Sequence, residues 1–244
     1  DLKTMSEAVE VLRQFKGFSY FTEMSDIINR LEDHVASARM KTTPVIDFEK
    51  NESLKGLDYL DTIYHAIVNE HPIQLKYRSF KARSANSFIF YPYLLKEYRN
   101  RWFVYGVRGN GRILQNLALD RIQSLEVLPQ EHYIKNTFFD PNTFFDDLVG
   151  VTKNTGSVAE KVGFKVAAAE APYIITKPIH RSQQVVERLA DGSVILEIEV
   201  VINHELERVF FGYAEGIQVL YPKTLVELMG RKLKKAAEQY THSK

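Results

Sequence analysis

Apolar residues recur at helical spacing near the start of the chain. Ala8, Leu12 and Phe15, then Met24, Ile27, Ile28, Leu31 and Val35, predict two helices within residues 5–37 that break around Gly17-Phe18-Ser19. Each carries one narrow apolar stripe, too little for a large core, so the pair is expected to pack on the rest of the chain or on a second copy. A charged stretch with Pro44, from Lys41 to Gly56, reads as a linker. Leu57, Leu60, Ile63 and Ile67 place a further helix at about 55–70, and His71-Pro72 ends it because the residue before a proline is pushed out of the α region.

From there the period falls from 3.6 to 2. Ile73, Leu75 and Tyr77 alternate with Gln74, Lys76 and Arg78, which describes a half-buried strand with a basic outer face. Phe88 to Leu95 is a second strand, broken or bent at Pro92, and Lys96 to Asn100 a polar turn. Arg101–Val107, Arg112–Leu119 and Ile122–Leu128 complete five strands, with Gly109-Asn110-Gly111 supplying a tight hairpin. Five short, bent antiparallel strands in so few residues predict a small barrel that closes the sheet and removes its edges.

Residues 136–160 read as a connection, with Phe138, Phe139, Phe144 and Phe145 as packing anchors and a polar, Gly- and Ser-containing boundary at 150–157. The last part alternates again. Strands are expected at Val162–Val166, Gln183–Leu189, Val194–Ile202 and Ile217–Leu220, and helices at Ala167–Lys177, Leu206–Glu215 and from Pro222 to about Tyr240. Asn203 is a suitable N-cap for the second of these helices. The fold class is therefore α+β: a helical connector, a small β-barrel, and a C-terminal α/β sandwich of βαββαβα order.

Composition adds exclusions. The 244 residues are 45% hydrophobic and 26% charged, as in a globular protein, and the chain has no cysteine, so thiolate metal sites, disulfides and cysteine nucleophiles are absent. No apolar run reaches the roughly 18 residues of a membrane span, and a cytoplasmic protein is expected. The chain starts at Asp1 inside a helix-like pattern, so a further upstream segment is expected. Charge changes the picture more. The formal net charge is +1, yet residues 71–125 hold ten Lys or Arg against two acids, Glu97 and Asp120. A near-neutral chain contains one strongly basic module.

Catalytic chemistry finds little support. Seven histidines show no metal-ligand spacing and no serine lies in a GxSxG elbow, so neither enzyme activity, nor a cofactor, nor a metal is expected. Gly106, Gly109 and Gly111 fall between strands and not before a helix, which a hairpin explains better than a phosphate loop. Arginines suit phosphate because the guanidinium fork makes two parallel hydrogen bonds, and Tyr77, Tyr91, Tyr93, Trp102 or Tyr105 could stack on a base. Two readings of this module stand side by side: an anion site, and a solvated basic face over a barrel core that includes Phe90, Trp102 and Val104. Strand alternation sets Trp102 and Val104 on one face and Arg101, Phe103 and Tyr105 on the other, so these residues do not line one pocket together.

Tyr91-Pro92-Tyr93-Leu94-Leu95, Arg101-Trp102-Phe103-Val104-Tyr105-Gly106, Arg112 and Leu119-Asp120-Arg121-Ile122 together resemble the WYL domain of bacterial transcriptional regulators. The eponymous Trp-Tyr-Leu stands here as Trp102-Phe103-Val104, which keeps bulk and loses a phenol hydroxyl. Residues 161–240 resemble the extension that follows many such domains, through Thr176-Lys177-Pro178-Ile179-His180-Arg181-Ser182-Gln183, Asn203-His204-Glu205-Leu206 and Val219-Leu220-Tyr221-Pro222. The resemblance implies an Sm-like or SH3-like barrel and a ligand-responsive regulator whose effector is a nucleic acid or nucleotide. It also implies operator DNA binding through an N-terminal winged helix-turn-helix, which is expected upstream of Asp1. The expected division is a connector over 1–54, the WYL barrel over 55–135, a linker over 136–160 and the C-terminal extension over 161–244. Candidate phosphate contacts are Arg78, Arg101, Arg108, Arg112 and Arg121, and Tyr77 and Tyr93 are candidate stacking residues. Trp102 is a structural residue at the site's edge, and Asp120 is a possible internal partner for Arg121. The expected activity is effector sensing and dimerisation, as a homodimer with no membrane partner. The competing reading is a structural dimerisation module that touches DNA backbone nonspecifically.

Overall fold

The computed structural model describes residues 26, 27, 30, 55–109, 111 and 113–241. Asp26, Ile27 and Arg30 are helical and exposed; the remainder of the helix pattern over 5–37, and the charged segment up to residue 54, lie outside the described residues. The chain forms two compact units, residues 1–138 and 139–244.

In the first unit a single 3-10 turn, Leu57–Tyr59, leads into helix α1, Leu60–Val68. Its apolar stripe buries Leu60, Ile63 and Ala66. Five antiparallel strands follow: β1 Ile73–Tyr77, β2 Asn86–Tyr98, β3 Arg101–Arg108, β4 Leu114–Ala118 and β5 Ile122–Val127. Their order across the sheet is β4-β3-β2-β1-β5. Ile73, Leu75, Phe90, Val104, Leu117, Leu119 and Ile122 join the buried face of α1 in one core.

The closed barrel expected from the strand pattern is not formed. Strands β4 and β5 each have one neighbour and remain edges. The reason lies in their junction, a 3-10 turn of three residues, Leu119–Arg121. In a flat sheet the two edges would lie about 19 Å apart, four strand spacings. The four Cα steps from Ala118 to Ile122 reach at most about 14 Å. The sheet must therefore curl until its edges nearly meet, and the turn takes the place of the last ladder. Gly56 packs directly under this turn: with φ at 83°, it leaves no room for a Cβ, which would lie 2.3 Å from the Leu119 carbonyl oxygen.

Two further differences concern β2. It runs unbroken through Pro92, and the register slips between Pro92 and Leu94, so Tyr93 is the extra residue of a bulge. Opposite Pro92 stands Gly106, where a Cβ would meet the Tyr91 carbonyl at 2.1 Å. The polar turn is also tighter than the expected Lys96–Asn100. Strand β2 continues to Tyr98, and Arg99 and Asn100, with φ of 50° and 61°, form a two-residue hairpin. Lys96 and Glu97 are polar because they sit at the end of a strand with an exposed face.

The second unit runs β6 Glu160–Val166, α2 Ala171–Thr176, β7 Gln184–Arg188, β8 Val194–Val200, α3 His204–Gly212, β9 Ile217–Tyr221 and α4 Lys223–Thr241. Its sheet is antiparallel in the order β7-β8-β6-β9. The core joins Val162, Phe164, Leu196 and Ile198 of the sheet to Ile174, Leu206, Phe210, Leu225 and Met229 of the helices. Both units are thus α+β, each with its own antiparallel sheet. Among the described residues no helix is long and apolar enough to cross a membrane.

Asn203 is the main polar anchor of this unit. Its Oδ1 accepts the Leu206 backbone N–H at 2.9 Å and caps α3. Its Nδ2 donates to the carbonyls of Val149 at 3.0 Å and Thr152 at 2.9 Å, tying the loop to the helix start. Asn203→Ala removes the cap and strands two carbonyls, and is expected to destabilise the protein by about 2–3 kcal/mol in urea unfolding. Asn203→Ser keeps a capping oxygen and loses the two donors without placing a charge against the carbonyls, so its loss should be smaller; a cost equal to that of alanine would mean the cap contributes nothing.

Candidate anion-binding site

The turn Leu119–Arg121 gathers one group of the candidate residues. Asp120 Oδ2 lies 3.3 Å from Arg101 Nε, and Asp120 Oδ1 lies 3.7 Å from Arg121 Nε. Arg101 comes from the first position of β3, so the hairpin at Arg99-Asn100 and the 3-10 turn meet at this carboxylate. Arg78 follows β1 and donates its backbone N–H to the Arg121 carbonyl at 3.1 Å. Its guanidinium Nε reaches the Ala82 carbonyl at 3.4 Å and has no carboxylate partner among the described residues. Tyr77, the last residue of β1, is half-buried beside them. Burial pushes its phenol up from the usual value, while the Arg121 charge and hydrogen bonds from Arg121 and the Ala118 backbone pull the other way.

Phe80 completes this group. The Arg121 guanidinium carbon stands 4.7 Å from the centre of its ring, and the ring is 73% exposed. Sequence reasoning passed over Phe80 because it sits in a polar turn with no periodicity around it. An aromatic residue within a run of Lys and Arg was the available signal.

The remaining candidates lie elsewhere. Arg108 ends β3, seven residues from Arg101, which is about 23 Å along a strand and on the opposite face. It is exposed and stacks on Phe88 at 4.1 Å. Arg112 falls outside the described residues. Trp102 is half-buried against the core of the first unit. Tyr93 is 7% exposed, its ring stacked on Phe138 at 6.1 Å and edge-on to Tyr133 at the same distance. Burial pushes the Tyr93 phenol up to about 12, and its hydroxyl has no hydrogen-bond partner among the described residues. The structure therefore brings together Tyr77, Arg78, Arg101 and Arg121, places Trp102 against the core on which Tyr77 also packs, and sets Arg108 at the far end of β3.

His180 and Ser182, signature positions without assigned chemistry in the sequence, form a structural lock in the second unit. Ser182 Oγ lies 2.8 Å from His180 Nδ1, which also accepts the Ser182 backbone N–H at 3.2 Å. The ring proton is thereby assigned to Nε2, toward the Asp146 carbonyl. Ser182 Oγ accepts the Glu199 N–H of β8 at 2.8 Å, and Gln183 bridges Ile179 N–H and the Ile174 carbonyl. Among the described residues no group of acids and histidines has the arrangement to hold a metal ion.

A basic, curled antiparallel sheet followed by a separate α+β unit defines a two-module class of chain. Residues 58–127 match the WYL domain and residues 159–237 the WCX domain. The chain thus carries a WYL domain followed by a WCX domain. Among solved structures it is similar to proteasome accessory factor B/C (PafBC) of Arthrobacter aurescens, with 16% identity, a TM-score of 0.32, and coverage of 79% of this chain and 28% of that one. It is also similar to a CRISPR Cas-related protein, with 12% identity, a TM-score of 0.45, and coverage of 76% and 52%. The chain thus spans only part of the length of both. Comparison with curated proteins returns no match.

The His180 lock carries a pH dependence. Burial lowers its pKa below the ordinary 6.5, outweighing the Asp146 carbonyl and the nearby Asp146 and Asp147 charges, with Arg181 also lowering it. Below about pH 6.5 the unfolded chain takes up a proton that the folded one refuses, so stability falls as pH drops from there toward the folded pKa. Melting temperatures measured from pH 7.5 to 5 should fall for the wild type and change less for His180→Asn. Equal slopes in the two proteins would show that His180 titrates alike in the folded and the unfolded chain.

Proposed function

We propose that this chain is the effector-sensing and dimerisation portion of a transcriptional regulator. Its anionic ligand, a nucleotide or a short single strand of nucleic acid, binds at Arg78, Arg101 and Arg121 with Tyr77 and Phe80. The observation that carries this reading is the meeting of two arginines from distant elements beside an exposed aromatic ring. Guanidinium groups supply paired donors to phosphate, and a ring such as Phe80 offers a stacking surface to any base. The family's regulators supply the wider frame: operator DNA is read by an N-terminal domain outside this sequence, in the cytoplasm, and the effector shifts how two copies hold those domains. The division into connector 1–54, WYL module 55–135, linker 136–160 and C-terminal extension 161–244 belongs to the same proposal. The strand order β4-β3-β2-β1-β5 with its strong curl supports an Sm-like or SH3-like sheet that stays open.

A second reading has its own support. Arg101 and Arg121 are already engaged by Asp120, as they would be in a structural module whose remaining charge touches DNA backbone diffusely.

Fluorescence anisotropy with a short single-stranded oligonucleotide separates the two. With a defined site, Arg101→Ala or Arg121→Ala should each weaken binding about 10- to 100-fold, as expected for loss of a charge-assisted contact, while Arg108→Ala changes little. A similar small loss for all three, with a steep salt slope, would establish the diffuse reading instead.

A further inference from the structure

Asp120 is one of two acids in a segment with ten Lys or Arg, and it lies inside the cation cluster. Its side chain is 14% exposed, against 48% for Arg101. The contacts it makes are long for charge-assisted bonds, 3.3 Å to Arg101 Nε and 3.7 Å to Arg121 Nε. Asp120 Oδ1 and Arg121 Nε are both shut off from solvent, and neither has a hydrogen-bond partner among the described residues. The two atoms face each other at ion-pair distance without the alignment of a bond. A carboxylate whose task was to hold Arg121 would be expected to meet its fork with two short, parallel bonds.

Carboxylate and phosphate present similar oxygen pairs to a guanidinium, so they compete for the same position. We propose that Asp120 is an internal anion that occupies the phosphate position between Arg101 and Arg121 in the free protein and sets the site's threshold for ligand charge. An incoming group must supply more negative charge than one carboxylate to displace it. Simple monoanions are thus rejected, and a phosphodiester chain, which brings several charges, is accepted. The inference rests on reading this cluster as the ligand site.

The test uses the whole 244-residue chain with a fluorescent oligothymidylate over a salt series. Asp120→Asn, and Asp120→Ser as a second variant, should bind about tenfold more tightly than the wild type. Their plots of log affinity against log salt should also be steeper by roughly one to two, because two arginines become free to contact phosphate. Glu126→Gln makes the same charge change on the exposed part of β5, outside the cluster, and should leave the slope unchanged. Melting curves confirm that each variant is folded. Affinity equal to or below the wild type in the Asp120 variants, or an equal gain in Glu126→Gln, overturns the internal-anion role. If the wild type still binds and loses affinity in Arg101→Ala, the ligand site stands without it. Absence of binding by the wild type and every variant overturns the ligand site and this inference together.

Discussion

Three residues, Leu119-Asp120-Arg121, connect strands that lie at opposite edges of a five-stranded sheet, and that short reach governs the first unit. The connection is shorter than the width of the sheet it crosses, so the sheet has to curl. Curling brings the end of β1, the start of β3 and the turn to one place, where Tyr77, Arg101, Asp120 and Arg121 meet. Gly56 serves the same end from the helical side, since only a residue without a Cβ lets the backbone before α1 lie against the Leu119 carbonyl.

Electrostatics at that place is set by partial desolvation. In water a carboxylate between two guanidinium groups would gain little. Here Asp120 is mostly covered and Arg121 lies over the Phe80 ring and hydrogen-bonds Tyr77, so the attraction is less screened and the cost of an unpaired polar atom is higher. The cluster keeps a net positive charge, and its outer parts, Arg78, Arg101 and the Phe80 ring, remain open to solvent. Such an arrangement balances part of its own charge and, in the function proposed above, still attracts a polyanion.

The second unit is built on a different balance. Its polar side chains at Asn203, His180, Ser182 and Gln183 are spent largely on backbone groups of neighbouring segments, which holds loops against the sheet. Its edge strand β7 exposes Val185 and Val186 but carries a register shift between Val185 and Glu187. A bulge at an edge twists it away from regular pairing, which protects a short apolar strand from aggregation.

Periodicity and turn chemistry determined most of the element types: the helix from Leu60, the strands around Ile73, Arg101 and Ile122, and the cap at Asn203 are local consequences of residue order. The basic character of residues 71–125 and the resemblance carried by Trp102 and Leu119-Asp120-Arg121-Ile122 were likewise legible. Which arginines come together was not. Arg101 and Arg108 look equivalent along the chain, yet an odd offset on one strand sends them to opposite faces and ends, and a turn some twenty residues beyond Arg101 decides which of them meets Asp120. Whether the sheet closed, whether Tyr93 was free to stack, and whether Phe80 mattered depended in the same way on contacts between residues distant in sequence. Local pattern fixes the direction of a side chain relative to its own strand, and only the curl of the whole sheet fixes what that side chain faces.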